Sequence, residues 1–417
     1  MQIGTMIDAD WQIVITLGQR ELPMPKNIVV CCDGTGNEIE TCTTNVLKLF
    51  RCLEKYAGQV VFYDPGVGTI ASVKPWSQWR QDLSTVFELA TGKGIDDRVL
   101  KAYQFVTQTY EEGDQIFLFG FSRGAYTVRI VAALVHAIGL LAPHQANLAE
   151  YGLKYYRQLA GRDEESPDFT RLGRFKKFAG GRNVTIRFVG VWDSVSSLFE
   201  PVGGLSLLPR MRMLPFTRTN EKVQVFRQAM AIDEPRRFFR LNRWRDPQNS
   251  FIGFKDGQAV TEPQNIRQLW FAGNHSDIGG GHPEDEAGLA KFPLIWMTEE
   301  AEKFGLRVDQ DDFRHLAHGL PPPRSPQRHT FAKPDSNAML HSKVAWFYRL
   351  VEWLPKSARW KVWPNRRVVL GFYIPRYEPR AIPEGALIHV SVQQRKGNPA
   401  NGYNPVNLPG APVFVPK

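Results

Sequence analysis

Residues 118–126 read Leu-Phe-Gly-Phe-Ser-Arg-Gly-Ala-Tyr, and this stretch constrains the fold more than any other. One serine, Ser122, stands between Gly120 and Gly124. A nearly all-apolar run, 114–121, precedes it, and a helical pattern, 124–141, follows it. A strand, then G-x-S-x-G, then a helix is the setting of a nucleophile elbow. The sharp turn lifts the serine hydroxyl above the end of a sheet. Strand and helix then pass so closely that side chains at 120 and 124 would clash, hence glycine at both. The helix start directs its unsatisfied N–H groups at the site, which makes the Arg123 N–H a candidate oxyanion donor.

The elbow needs a parallel sheet around it, and the pattern predicts one. Apolar runs at 26–32, 59–64, 114–121, 184–192 and 266–273 do not alternate with polar residues, as expected of strands buried on both faces. Helices with apolar residues at helical spacing are expected at 44–55 and 94–110, and a helix closed by Gly305 at 285–305. The β-α-β order implies right-handed crossovers. With 43% hydrophobic residues the chain can bury a large core. The expected architecture is an α/β-hydrolase-like fold: a mostly parallel central sheet, helices on both faces, lid-like insertions and a C-terminal extension. The catalytic domain is expected at 25–310, with insertions at about 142–182 and 196–265. A linker, an aromatic and basic segment and a C-terminal segment that packs back on it should fill 311–417.

A serine hydroxyl needs a base, and the base needs an orienting carboxylate. In such folds they follow in the order Ser, Asp or Glu, His, each just past a strand end. Asp193 follows Arg187-Phe-Val-Gly-Val-Trp192, and His275 follows Leu269-Trp-Phe-Ala-Gly-Asn274. His389 is the rival base and Asp277 the rival acid. His275, Asp277, His282, Glu284 and Asp285 could instead surround a metal ion, but their spacing fits no zinc helix motif and three glycines break any helix. No metal and no cofactor is expected. The loop Cys32-Asp33-Gly34-Thr35-Gly36-Asn37 lacks the aspartate two residues before Asp33 that a phosphatase of similar spelling would need. Gly34 and Thr35 are candidates for the second oxyanion N–H.

The chain carries 52 Lys and Arg against 42 Asp and Glu, a net charge of +10. That excess suits an anionic partner, yet no nucleic-acid motif is present. No apolar run reaches the ~20 residues of a spanning helix. Residues 1–27 lack the pattern of a Sec signal, so synthesis in the cytoplasm is expected. Cys31, Cys32, Cys42 and Cys52 match no metal or redox spacing and read as core thiols. Residues 340–376 concentrate Trp346, Arg349, Trp353, Trp360 and Trp363 among further basic residues, with an apolar helical face in 344–354. Tryptophan and arginine together suit an anionic membrane surface, and the other reading of that face is packing against the chain's own core.

Five pieces taken together carry a family likeness: Ile28-Val-Val-Cys-Cys-Asp-Gly-Thr-Gly-Asn-Glu38 with Thr44-Asn45, the elbow itself, Arg187 to Val195, Leu269 to His282, and Ile388 to Pro409. The chain resembles the DUF2235 family, which includes the catalytic domain of bacterial type VI secretion phospholipase effectors of the Tle1 type. Ala272-Gly273-Asn274 stand where that family usually reads Pro-Gly-Val. The resemblance implies an α/β-hydrolase fold and a Ser-Asp-His triad on Ser122, Asp193 and His275. It implies hydrolysis of phospholipid esters, export as an effector, and a secretion-apparatus or immunity protein as partner. The other readings are a soluble esterase, thioesterase or acyltransferase on the same triad, or a non-catalytic membrane-surface or protein-binding module.

Overall fold

The structure is a computed structural model. It describes residues 25–34, 43–66, 94–159, 169–195, 199–200, 210–211, 214–237, 239–255, 258–321, 330–341, 352–358, 361–363 and 366–416. The strands are β1 (Asn27–Cys32), β2 (Gln59–Asp64), β3 (Gln115–Phe121), β4 (Ile186–Trp192), β5 (Phe199–Glu200), β6 (Arg210–Met211) and β7 (Val223–Ala231). They continue with β8 (Asn249–Lys255), β9 (Gln258–Pro263), β10 (Asn265–Phe271), β11 (Lys356–Ser357), β12 (Phe372–Tyr373), β13 (Leu387–His389) and β14 (Val413–Val415). The α-helices are α1 (Asn45–Cys52), α2 (Ile95–Thr109), α3 (Arg123–Ile138), α4 (Ala149–Arg157), α5 (Thr170–Phe178), α6 (His275–Gly279), α7 (Lys291–Glu302), α8 (Gln310–His318) and α9 (Val390–Gly397).

Eight strands form one sheet in the order β14-β13-β10-β7-β4-β3-β1-β2. Every neighbouring pair in it is parallel. This is an α/β-hydrolase-like fold, as the uninterrupted apolar strands predict. The pleat of β1 shows why those strands lack polar positions. Ile28, Val30 and Cys32 face a core shared with α2, α3 and α4, while Val29 and Cys31 face a second core with α1, α7 and α8. Both sides of the strand are covered, so both periods must be apolar. Cys31, Cys32 and Cys52 are buried free thiols, and burial pushes Cys32 up to about 12.

Two regions differ from the sequence expectation. Strand β7 falls inside the stretch read as an insertion at 196–265, yet it lies between β4 and β10 in the middle of the sheet. Its polar letters, Gln224, Arg227 and Gln228, disguise it. Arg227 is nevertheless buried on Glu300 at 2.6 Å and Gln228 holds Arg129 at 3.0 Å, so partners replace water. The C-terminal segment also enters the sheet, as β13 and β14. The three-residue strands are too short to show a period.

Candidate active site and family membership

The elbow is built as its glycines require. Ser122 has φ 56° and ψ −119°, a backbone conformation that costs a non-glycine residue about 1–3 kcal/mol. A Cβ on Gly124 would lie 2.0 Å from the Cys32 carbonyl oxygen, and one on Gly120 would lie 2.5 Å from the Gly124 oxygen. The Ser122 N–H donates to the Trp192 carbonyl at 3.2 Å, which ties the turn to the end of β4.

Asp193 is the first residue after β4, and His275 opens α6 four residues past the end of β10. The structure brings both to Ser122. His275 Nε2 lies 2.8 Å from Ser122 Oγ, and His275 Nδ1 lies 2.5 Å from Asp193 Oδ2. The imidazole is flanked by Phe121 and Phe239, with ring centroids 4.7 and 4.8 Å away. Asn274 caps α6, accepting from the Ser276 and Asp277 N–H groups, and Asp277 returns the bond to the Asn274 N–H at 2.9 Å. That capping box orients the first turn and leaves the imidazole to face the serine. Downstream glycines close the approach: a Cβ on Gly279 would sit 1.9 Å from the Phe121 ring, and Gly280, at φ 80°, pairs with Thr44 at the start of α1.

The carboxylate has a partner that motif reading missed. Arg380 Nη1 donates to Asp193 Oδ1 at 2.6 Å, and Nη2 donates to Oδ2 at 2.9 Å. The Ala231 N–H adds a donor to Oδ1 at 3.0 Å. Full burial alone would raise the Asp193 carboxyl, but Arg380 and His275 outweigh it and hold the group below the usual carboxylate range. Glu234 accepts the His275 N–H at 3.1 Å. Its burial too is outweighed, by Arg236 at 2.6 Å, so it is held low. Neither Arg380 nor Glu234 has a local signal; only the capping spacing Asn274-x-x-Asp277 could have been read in advance.

The oxyanion candidates separate. Arg123 is the first residue of α3, so its N–H stands at the positive end of that helix, beside Ser122. The Gly34 N–H donates to its neighbour's carboxylate, Asp33 Oδ1, at 2.6 Å, which takes it from the list of available donors. Asp33 is fully buried, and burial raises it to about 6 against hydrogen bonds from Thr44, Gly34 and Tyr63. Thr35 lies outside the described residues.

The rivals have other work. His389 is the N-cap of α9, where its Nδ1 accepts from the Ser391 N–H at 3.2 Å, and its ring stacks on Phe271. Asp277 closes the capping box and accepts from His341 Nδ1 at 2.6 Å. The five residues considered for a metal do not converge: His275 faces Ser122, Glu284 is held by Lys48 and Lys291, and Asp285 is exposed. Asp277, His282 and His341 do cluster. The two imidazoles, however, stack 3.5 Å apart and within 12° of parallel. An ion midway would stand about 1.7 Å out of each ring plane with a bond of only about 2.0 Å, whereas imidazole coordinates in its plane. His341 also directs Nε2 to Glu286 at 3.0 Å.

A cleft of about 720 Å³ lined by Tyr151, Tyr155, Arg171, Arg174 and Phe178 lies far from this site. It adjoins the helices that pack on Ile138, the last residue of α3, whereas Ser122 precedes the first. Sixteen helical residues separate them, about 24 Å. Of the proposed membrane residues, Trp353 is 52% exposed and Trp363 is half-buried. Trp346, Arg349 and Trp360, with most of the expected helical face, lie outside the described residues.

A parallel sheet with a serine on a strained strand–helix turn, and an imidazole and a carboxylate from the next strand ends, defines an α/β-hydrolase-fold protein. The particular family follows from the sequence: residues 26–300 match the model of the T6SS phospholipase effector Tle1-like catalytic domain, and the chain belongs to that family. An uncharacterised protein of Saccharomyces cerevisiae, YEL023C, is 30% identical over 400 residues, covering 68% of this chain and 58% of its own length. A crystal structure of an uncharacterised Pseudomonas aeruginosa protein is 15% identical, covers 71% of this chain and 48% of its own, and has a TM-score of 0.37. The Tle1 effector bound to the VgrG spike from the type 6 secretion system is 19% identical, covers 64% and 52%, and has a TM-score of 0.32. The chain thus spans about half the length of these relatives. No helix among the described residues is long and apolar enough to cross a membrane.

Proposed function

We propose that this protein is a serine hydrolase that cleaves carboxylic ester bonds of phospholipids through Ser122, His275 and Asp193. The observation that carries the reading is the unbroken hydrogen-bond line from Ser122 Oγ through His275 to Asp193, at 2.8 and 2.5 Å. In this mechanism His275 Nε2 takes the hydroxyl proton as Ser122 Oγ attacks the ester carbonyl. Asp193 faces the imidazolium that forms. The Arg123 N–H at the start of α3 stabilises the oxyanion, and Thr35 is kept as the candidate for the second donor. His275 then protonates the departing alcohol, an acyl ester remains on Ser122, and water activated by His275 releases the acid.

The phospholipid substrate rests on the family and on one surface. A tight turn closed by Val369 and Phe372, at the start of β12, exposes Val369 (55%) and Leu370 (93%), and Trp353 (52%) and Leu354 (58%) are exposed just before β11. Arg366, Arg367 and Arg376 line a cleft of about 620 Å³ beside the same turn, and Arg376 stacks over Trp353 at 4.7 Å. Tyr373 of β12 accepts from Arg237, next to the Arg236 that pairs with Glu234. Apolar tips ringed by arginines suit an anionic bilayer. Export and docking on a secretion-spike protein belong to the same proposal, by analogy with the Tle1 effector.

Mass spectrometry of products from phosphatidylglycerol vesicles, with Ser122→Ala as the control, tests the reading. Released fatty acid and lysolipid are expected from the wild type alone, with Ser122 labelled by a fluorophosphonate. Leu370→Asp should lower vesicle turnover and spare short soluble esters. Vesicle turnover unchanged by Leu370→Asp would leave a soluble esterase; label on no serine would leave a binding module.

A further inference from the structure

Asp193 has no exposed surface, and a buried carboxylate needs a countercharge. The planar fork of Arg380 meets both of its oxygens, at 2.6 and 2.9 Å. The same nitrogens donate to the carbonyls of Ala231 at 3.1 Å and Phe239 at 2.9 Å, so the guanidinium is itself held in place. Asn407 Nδ2 bridges the backbone oxygens of Arg380 and Ile232, both at 3.0 Å. The C-terminal segment thereby clamps the arginine onto the loop after β7.

Building on the triad reading above, we propose that Arg380 is a positioning residue: it supplies the buried countercharge of Asp193 and fixes the plane of that carboxylate toward His275 Nδ1. It touches no reacting atom. A bidentate fork sets both distance and plane, which a point charge would not. The other charged groups nearby are engaged elsewhere. Glu234 faces the His275 N–H but is paired with Arg236, Asp277 faces His341 and His282, and Asp233 accepts from Tyr403 and the Gly273 N–H. Removing the guanidinium takes away the strongest influence that lowers Asp193 and leaves burial, which raises the carboxyl, opposed by His275. With a positive charge removed from beside it, the Asp193–His275 pair binds a proton more readily as a unit, so the acid limb of activity moves upward.

The experiment measures kcat and KM of a short soluble ester across the acid and neutral range for the wild type, Arg380→Gln and Arg380→Lys. For Arg380→Gln, kcat should fall about 100-fold with KM unchanged, as expected of a misplaced catalytic group. Its acid limb should move up by about one pH unit. Arg380→Lys should return the acid limb to its wild-type position while recovering only part of kcat. A Gln variant whose kcat falls with the acid limb unmoved, or a Lys variant that fails to restore it, overturns the proposal. If the Gln variant does not fold, Asn407→Ala keeps the charge and loosens its anchor; an unchanged kcat there overturns the proposal as well. Ser122→Ala and fluorophosphonate labelling run in parallel. Their failure removes the triad, whereas their success with an unmoved acid limb removes only the role of Arg380.

Discussion

Two neighbouring strands, β10 and β13, end in the same way and are used differently. Each leads within four residues into a helix, and each carries a histidine at that junction. After β10 the cap is Asn274, and His275 is the first helical residue. After β13 the histidine is the cap: His389 Nδ1 accepts from the Ser391 N–H and bonds the Ser391 hydroxyl at 2.8 Å. A helix start has N–H groups that must find acceptors. Where asparagine accepts them, the imidazole can turn both nitrogens to Ser122 and Asp193. Where histidine accepts them itself, its ring is committed and its face packs on Phe271. In this chain the strand-end histidine that faces Ser122 is the one whose neighbour caps the helix.

The sharpest way to break this contrast is to delete each ring. On the mechanism proposed above, His275→Ala should lower kcat about 10³- to 10⁶-fold, matching Ser122→Ala. His389→Ala should leave kcat within a few-fold, and the reverse ranking would move the base to β13. Removing the cap instead of the ring comes next. Asn274→Ala frees the α6 start and its contact to the His341 carbonyl, and kcat should fall about 10- to 100-fold through misplacement of His275. Should kcat stay unchanged while the melting temperature falls, the cap would matter only for stability.

A smaller effect is expected from pH. The hydrogen bond to Asp277 raises His341 above its ordinary value, against burial and with Glu286 adding to the rise. A raised histidine contributes its stabilisation fully below the ordinary value of about 6.5 and loses it as pH climbs through the folded value. Stability should therefore decline above neutral pH in the wild type, and His341→Gln should flatten that decline in urea titrations read at several pH values. Parallel curves for the two proteins would show that the bridge adds nothing. The smallest effect belongs to the other histidine: His389→Ala should cost about 1 kcal/mol of stability, the worth of a lost N-cap, and His389→Asn should recover most of it. A loss in His389→Asn equal to that in His389→Ala would show that the ring's packing on Phe271 matters more than the cap.

Much of this arrangement is legible in the chain itself because it follows from contacts between near neighbours. Glycine at 120 and 124 is forced by backbone approaching within 2.5 Å of where a Cβ would stand. Apolar letters on both periods of β1 and β3 follow from cores on both faces of the sheet. The chain order of Ser122, Asp193 and His275 follows from strands that deliver their ends to one edge. Short or polar pieces were less readable. β7 hides its place behind Arg227 and Gln228, whose partners are distant, and β13 and β14 are too brief to carry a pattern.

What the sequence determined alone, then, was the elbow, the parallel sheet and the short list of groups at its edge, since sterics and periodicity act over a few residues. The tertiary structure decided which histidine faces the serine, that the Gly34 N–H turns to Asp33, and that Arg380 holds Asp193 across a separation of 187 residues. A guanidinium and a carboxylate so far apart in the chain leave no spacing to read. Their meeting depends on the path of every strand between them, and the cost of burying either charge without the other keeps them together once that path is set.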